Sequence, residues 1–157
     1  MDEIDVQILD CLQTDATLAV SEIAKRVGLS TSPCWNRIQR LEASGVIRSR
    51  VALLDPPALN VAVTAFVSIR TSSHNAAWFE NFSRAVSAFP EVVEFYRMSG
   101  DVDYLLRVVV PDIRAYDDFY KRLIEQVDLQ DVSSSFAMEE IKYTTSLPLD
   151  YVRLGQK

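Results

Sequence analysis

The chain has 157 residues, 48% of them hydrophobic and 24% charged, enough for one good core or two small ones. Its formal net charge of −6 argues against indiscriminate coating of nucleic acid, and no apolar run approaches the roughly 18 to 20 residues that a membrane-spanning helix needs. The acidic start MDEIDVQ is unlike a secretory leader, so a soluble, untargeted, cytoplasmic protein is expected. Cys11 and Cys34 both sit in amphipathic helical patterns and read as buried thiols rather than a disulfide. With His74 as the one histidine, no metal site is expected, and neither is a cofactor or a catalytic residue.

Net charge averages over faces and hides a local patch. The first 24 residues carry only acids among the charged types, Asp2, Glu3, Asp5, Asp10, Asp15 and Glu22. Residues 25 to 50 carry Lys25, Arg26, Arg37, Arg40, Arg48 and Arg50 against the single acid Glu42. A basic patch on an acidic chain points to a specific anionic partner.

In chain order, Ile4, Ile8, Leu9 and Leu12 recur at helical spacing behind a candidate N-cap, Asp2, which predicts a first helix over 3–13. Ser21 is placed to cap a short second helix, SEIAKRV, with Ile23, Ala24 and Val27 inward and Gly28 ending it. A third helix starts at Ser30 or Ser32, tolerates Pro33 in its first turn, buries Cys34, Ile38 and Leu41, and stops at Gly45. Ala24 and Gly28 supply the small side chain and the bend that two closely crossing helices need, so the pair reads as a helix-turn-helix.

The third helix is then the reading element, its outer face expected to present Arg37, Arg40 and Ser44, with Asn36 adjacent and Thr31 and Ser32 at its tip. Arginine bonds guanine O6 and N7 in bidentate fashion, asparagine pairs with the adenine edge, and hydroxyls serve phosphates or bases. A basic helix face alone is more often merely solvated; the turn and the cationic cluster, which also holds Lys25 and Arg26, shift the reading to DNA. Trp35 is expected to pack against a neighbouring helix or the hairpin, the alternative being that it touches DNA instead. The stretch VIRSRVALLDPPAL is expected to form a strand pair, the wing of a winged helix-turn-helix, with Arg48 and Arg50 on phosphates.

Asp55-Pro56-Pro57 breaks regular structure and sets a boundary between modules 1–60 and 61–157. Beyond it, VAVTAFVSIR reads as a strand and residues 75 to 89 as a helix through Phe79, Phe82, Val86 and Phe89, ended by Pro90. VVEFYRMS and YLLRVVV are strands flanking the turn SGDVD. Pro111-Asp112 opens a helix with inner face Ile113, Tyr116, Tyr120, Leu123 and Val127, and VSSSFAMEEIKY is the last strand. The order βαββαβ is the ferredoxin-like split, an antiparallel four-stranded sheet with both helices on one face, so the fold class is α+β. The other face carries Phe66, Phe95 or Tyr96, Leu105 or Leu106, and Phe136 or Met138. Such a surface predicts a homodimer in which two sheets cover each other.

SEIAKRVGLSTSPCWNRIQRLEASGVI, followed by MSGDVDYLLRVVVPD and FAMEEIK, resembles the leucine-responsive/asparagine regulators, the Lrp/AsnC or feast-famine transcription factors, over essentially the whole chain. Ser30-Thr31-Ser32-Pro33-Cys34 matches the family's helix start with a serine and a threonine exchanged in order, while Asn36 and Gln39 stand where the family often has charged residues. The regulatory GDxDY motif falls on Gly100, Asp101, Asp103 and Tyr104. The resemblance implies a winged helix-turn-helix joined to a ferredoxin-like effector module (a RAM or ACT-like domain), dimers that associate into octamers, and amino-acid effectors bound between modules.

A free amino acid needs acceptors for its ammonium and donors for its carboxylate. Asp101 and Asp103 suit the first, amides around Gly100 suit the second, and Ser99, Tyr104, Ser135 and Phe136 are expected to shape the rest, from this or another subunit. The bland alternative is that Gly-Asp only forms a hairpin turn. The expected function is a ligand-modulated, sequence-specific transcriptional regulator bound to double-stranded DNA. The rivals are an architectural DNA-compacting protein without an effector and, less favoured with one histidine, an enzyme like the siroheme decarboxylase subunits that share the architecture.

Overall fold

The computed structural model describes residues 1–73 and 75–154, and His74 lies outside them. Contacts divide the chain into two units, Met1–Leu53 together with the segment from Lys142 onward, and Leu54–Ile141. The sequence reading kept residues 61–157 in one module; the structure instead returns the end of the chain to the first unit. Gln13 on the first helix is the reason. Its amide mimics a peptide group: Oε1 accepts from the Leu147 N–H at 3.0 Å and Nε2 donates to the Leu147 carbonyl at 3.2 Å.

The first unit is three helices, α1 (Glu3–Thr14), α2 (Val20–Arg26) and α3 (Thr31–Ala43). The α1 start is fixed by a reciprocal capping box: the Asp2 carboxylate accepts from the Asp5 N–H and the Asp5 carboxylate from the Asp2 N–H, each at 3.0 Å. Ala19, not Ser21, occupies the cap position of α2, and Ser30 caps α3 through its backbone geometry without a side-chain bond. Ile8 and Leu12 of α1 pack with Ile23, Ala24, Val27, Cys34, Ile38 and Leu41, and half-buried Cys11 borders the same core as a free thiol. Gly28 takes φ +70° at the bend between α2 and α3, a conformation that glycine adopts without strain.

The expected wing does not form within the chain. Residues 46–55 make no strand, and all but Ile47 are exposed; Ile47 alone turns back, its N–H donating to the Leu41 carbonyl. The β-branched residues of this stretch have strand propensity, but no second strand lies beside them, and a lone strand leaves its ladder bonds unmade.

The second unit runs β1 (Val63–Arg70), α4 (Ala76–Ser87), β2 (Val92–Arg97), β3 (Tyr104–Val110), α5 (Ile113–Gln126) and β4 (Asp131–Phe136), with strand order β2-β3-β1-β4 and every pairing antiparallel. Asn75 and Asp112 cap α4 and α5 through their side chains. The core lies between the helices and one sheet face: Ala65, Val67, Ile69, Tyr104, Leu106, Val108 and Val110 against Phe82, Val86, Phe89, Tyr116, Phe119, Leu123 and Val127. Ile113, expected inside, is exposed; Phe119 takes the inner position. The last strand ends at Phe136 instead of continuing to Tyr143, because Ala137 donates to Thr64 at the very start of β1 and no ladder remains beyond it.

The register resolves which strand residues face away from the helices. Phe66, Leu105 and Tyr96 do, as expected, and Tyr96 stands opposite Leu105. Phe95 and Phe136 do not: Phe95 stacks edge-on against Phe82 and Phe136 against Tyr116, on the helix side. The open face is also more polar than expected, since Arg107 pairs with Glu94 at 2.7 Å, Tyr96 donates to Glu94 at 3.1 Å, and Ser133 and Ser135 line the β4 edge.

Candidate functional site

Two clusters of sequence-predicted residues exist, one on α3 and one on the β2–β3 turn. On α3, Cys34, Ile38 and Leu41 define the buried direction. At about 100° per residue, Ser32, Asn36, Gln39 and Ala43 then lie within about 50° of the opposite direction, while Trp35 and the Arg37–Arg40 pair occupy the two flanks. Thr31, Ser32, Asn36 and Gln39 are all exposed at the helix tip and along this outer face.

Arg37 does not stand free on that face. Its guanidinium bonds the Asp2 carboxylate at 2.8 Å and Asp5 Oδ1 at 2.7 Å, and Arg40 Nη2 donates to both Asp5 oxygens, to Oδ1 at 3.0 Å and to Oδ2 at 2.9 Å. Asp5 is 1% exposed. One buried carboxylate therefore ties the start of α1 to the flank of α3. The Arg37 hydrogen bond, with the Asp5 N–H, lowers the Asp2 pKa to about 2, and the two aspartates in turn raise that of Arg37. A side chain committed to an aspartate pair must break those bonds before it reaches a base. This corrects the expected outer face of Arg37, Arg40 and Ser44; Ser44 is the C-cap, its hydroxyl donating to the Leu41 carbonyl.

The remaining cations differ in freedom. Arg50 is paired with Glu42 at 2.7 Å, whereas Lys25, Arg26 and Arg48 are exposed and make no ion pair among the described residues. Arg40, half-committed to Asp5, still has 62% of its side chain exposed. Trp35, expected to pack against a neighbouring helix or the hairpin, is 51% exposed. Asn36 and Gln39 thus hold the central outward positions that arginine was expected to fill, and helix phase alone, counted from the buried residues, would have found them.

The second cluster is the turn Ser99–Asp103. Gly100 sits at φ +111°, where a Cβ would be strained although nothing lies within 4 Å of its place. Ser99, Gly100 and Asp101 are exposed. Asp103 is structural in part: Oδ2 accepts from the Thr71 N–H at 2.8 Å, its own N–H donates to the Ile69 carbonyl, and its carbonyl accepts from Met98. Arg70 Nε donates to the Asp101 backbone carbonyl at 2.6 Å, and the Asp101 carboxylate makes no hydrogen bond or ion pair among the described residues. Arg70 and Thr71 were missed from sequence; an arginine closing a strand gives no signal until pairing brings the strand end to the turn.

The other predicted effector residues are elsewhere in the unit. Tyr104 is 5% exposed within a ring cluster of Trp78, Phe79, Phe82 and Phe95. Ser135 and Phe136 pair with Phe66 and Ala65, whereas Tyr104 beside the turn pairs with Ile69. Four strand residues, on the order of 13 Å, separate the two ends. One chain does not bring Ser135 and Asp101 together.

A helix-turn-helix unit with exposed cations, joined to a ferredoxin-like unit with a polar turn, defines a two-module DNA-binding regulator. Comparison with known proteins agrees. The AsnC-type helix-turn-helix domain model matches residues 1–42, and the Lrp/AsnC ligand binding domain model matches residues 64–147. The chain is 50% identical over 151 residues to the DNA-binding transcriptional activator DecR of Escherichia coli, spanning 96% of this chain and 99% of that one. It superposes on an AsnC family transcriptional regulator from Agrobacterium tumefaciens with a TM-score of 0.95 and 68% identity, covering 98% and 100% of the two chains. A transcriptional regulator of Neisseria meningitidis solved with L-methionine matches at TM-score 0.91 and 37% identity, covering 96% and 98%. The chain belongs to the Lrp/AsnC family and is a DNA-binding transcriptional regulator of that type.

Proposed function

We propose that this regulator reads its operator through the outward residues of α3, Thr31, Ser32, Asn36 and Gln39, with Lys25, Arg26, Arg40 and Arg48 on phosphates and Arg37 held back as a brace. The observation that carries this reading is the division of labour on α3: a flank closed by Asp2 and Asp5, and an exposed face of hydrogen-bonding side chains, in a unit that also exposes Lys25, Arg26 and Arg48 with no ion pair among the described residues. Asparagine and glutamine bond the adenine edge in bidentate fashion, and surrounding lysine and arginine supply sequence-independent affinity. Residues 1–53 with the returning C-terminal segment form the DNA-binding module and Leu54–Ile141 the effector and assembly module.

The effector is an amino acid held at the Ser99–Asp103 turn. The Asp101 carboxylate receives the ammonium, and Gly100 gives the backbone room to approach the ligand. Ser135 and Phe136 join from another subunit, since they sit at the far end of their own sheet. The L-methionine complex of the Neisseria relative supports this ligand class. Assembly is a homodimer through the open face around Phe66, Tyr96 and Leu105, extending to a higher oligomer such as an octamer, and the protein is cytoplasmic and has no catalytic role. DNA affinity follows the effector only as far as the effector binds the assemblies unequally.

A gel-shift with the DNA upstream of the protein's own gene, at moderate salt, tests the DNA half; no shift with that or any genomic fragment removes it. Calorimetry against the twenty amino acids tests the effector half. Heat from one of them that survives Asp101→Ala unchanged rejects the turn as the site.

A further inference from the structure

Trp35 is the largest side chain on α3, and half of it stands in solvent on the flank opposite the Asp2–Asp5 brace. It follows the first turn of the helix and lies next to Ser32 and Gln39, three residues before it and four after it, on the helix surface. The acid on the same flank, Glu42, about two turns further along, is paired with Arg50. A large exposed indole on the flank where Glu42 is paired, in a unit that also exposes the cations Lys25, Arg26 and Arg48, suits an apolar feature inside a polyanion. Double-stranded DNA presents one such feature in its major groove, the C5-methyl group of thymine.

We infer that Trp35 is a specificity-determining residue that packs its indole on thymine methyl groups at the operator. This rests on the reading of α3 as the element that enters the major groove, and it adds a base preference that the hydrogen-bonding residues do not supply. Asn36 and Gln39 read polar edges, and both adenine and guanine offer N7 acceptors to them; a methyl-sensing contact marks the partner strand independently. Trp35 is half exposed and is not among the buried residues of the first core, so thermal melts of every variant separate a loss at the DNA from a loss in the fold.

The test uses the full-length protein and a duplex that it selects from a random-sequence pool. That duplex is made once with thymine and once with uracil at every thymine position, which removes the methyl groups and keeps every hydrogen-bonding edge. Binding is read by fluorescence anisotropy. The wild-type protein is expected to bind the uracil duplex at least about fivefold more weakly, a loss of the size of a weak single-position mismatch. Trp35→Ala is expected to bind both duplexes equally, at the level of wild type on uracil, and Trp35→Phe to fall between, with thermal melts of all three alike. Equal binding of both duplexes by the wild type, or an undiminished thymine preference in Trp35→Ala, overturns the inference while leaving DNA reading by α3 in place. Failure to select any duplex overturns both.

Discussion

Replacing Arg37 separates a brace from a base reader. In the structure the Asp5 carboxylate is 1% exposed and is held by Arg37 at 2.7 Å, by Arg40 at 2.9 and 3.0 Å, and by the Asp2 N–H at 3.0 Å. Arg37→Ala removes the less exposed of the two guanidiniums and leaves a buried charge on the other. A hydrogen bond to a charged group contributes about 1.5 to 3 kcal/mol, and a buried ion left wholly without its partner costs about 3 to 5 kcal/mol. Because Arg40 remains, the expected loss is about 2 to 3 kcal/mol, enough to lower the melting temperature of a unit this size by roughly 10 to 20 °C. Thermal and urea unfolding measure it, and a cycle of Asp5→Ala, Arg37→Ala and the double substitution isolates the coupling. At a temperature where the variant is folded, its preferred DNA sequence should be unchanged. If Arg37→Ala melts within about 0.5 kcal/mol of wild type, as an ordinary surface substitution does, and loses base discrimination, then the arginine reads DNA and the brace is incidental.

Three further outcomes follow from the same geometry. The Asp2 pKa is depressed in the fold from 3.8 to about 2, so the stability that its ion pair contributes is complete above pH ~4 and is lost as pH falls toward 2; an acid titration of wild type should show this loss, and Asp2→Asn should flatten it. Asp103→Ala strips the Thr71 N–H of its acceptor at a buried residue and should destabilise the second unit by about 1 to 3 kcal/mol in urea, whereas Asp101→Ala should not alter unfolding at all. Gln13→Ala removes both bonds to Leu147 and should speed proteolysis of the C-terminal segment without changing cleavage within 54–141.

Periodicity made the helices and strands legible because each buries one continuous apolar stripe, and Ile8, Leu12, Cys34, Ile38 and Leu41 all lie where their spacing put them. It failed where a side chain's role depends on which element lies across from it. Arg37 borders the inner face, and only the placement of α1 over that border decides that it meets Asp2 and Asp5 rather than water; the acid-only N-terminus and the basic α3 were the visible halves of that pairing. In β3 the run YLLRVVV is apolar on both faces, so alternation could not tell Tyr104 from Leu105, and the parity came from pairing with β1. The missing wing and the short β4 share a cause: strand propensity is local, and a ladder needs a neighbour that a single sequence does not locate.

Asn36 and Gln39, not Arg37, are the residues proposed to choose the DNA sequence. Selection from a random duplex pool, run in parallel with the wild type, Asn36→Ala, Gln39→Ala and Arg37→Ala, tests this most directly. A defined motif is expected for the wild type, kept by Arg37→Ala and relaxed at one position by each of the other two substitutions, at about 1 to 3 kcal/mol per lost base contact. A motif that survives Asn36→Ala and Gln39→Ala intact and dissolves with Arg37→Ala would contradict the account.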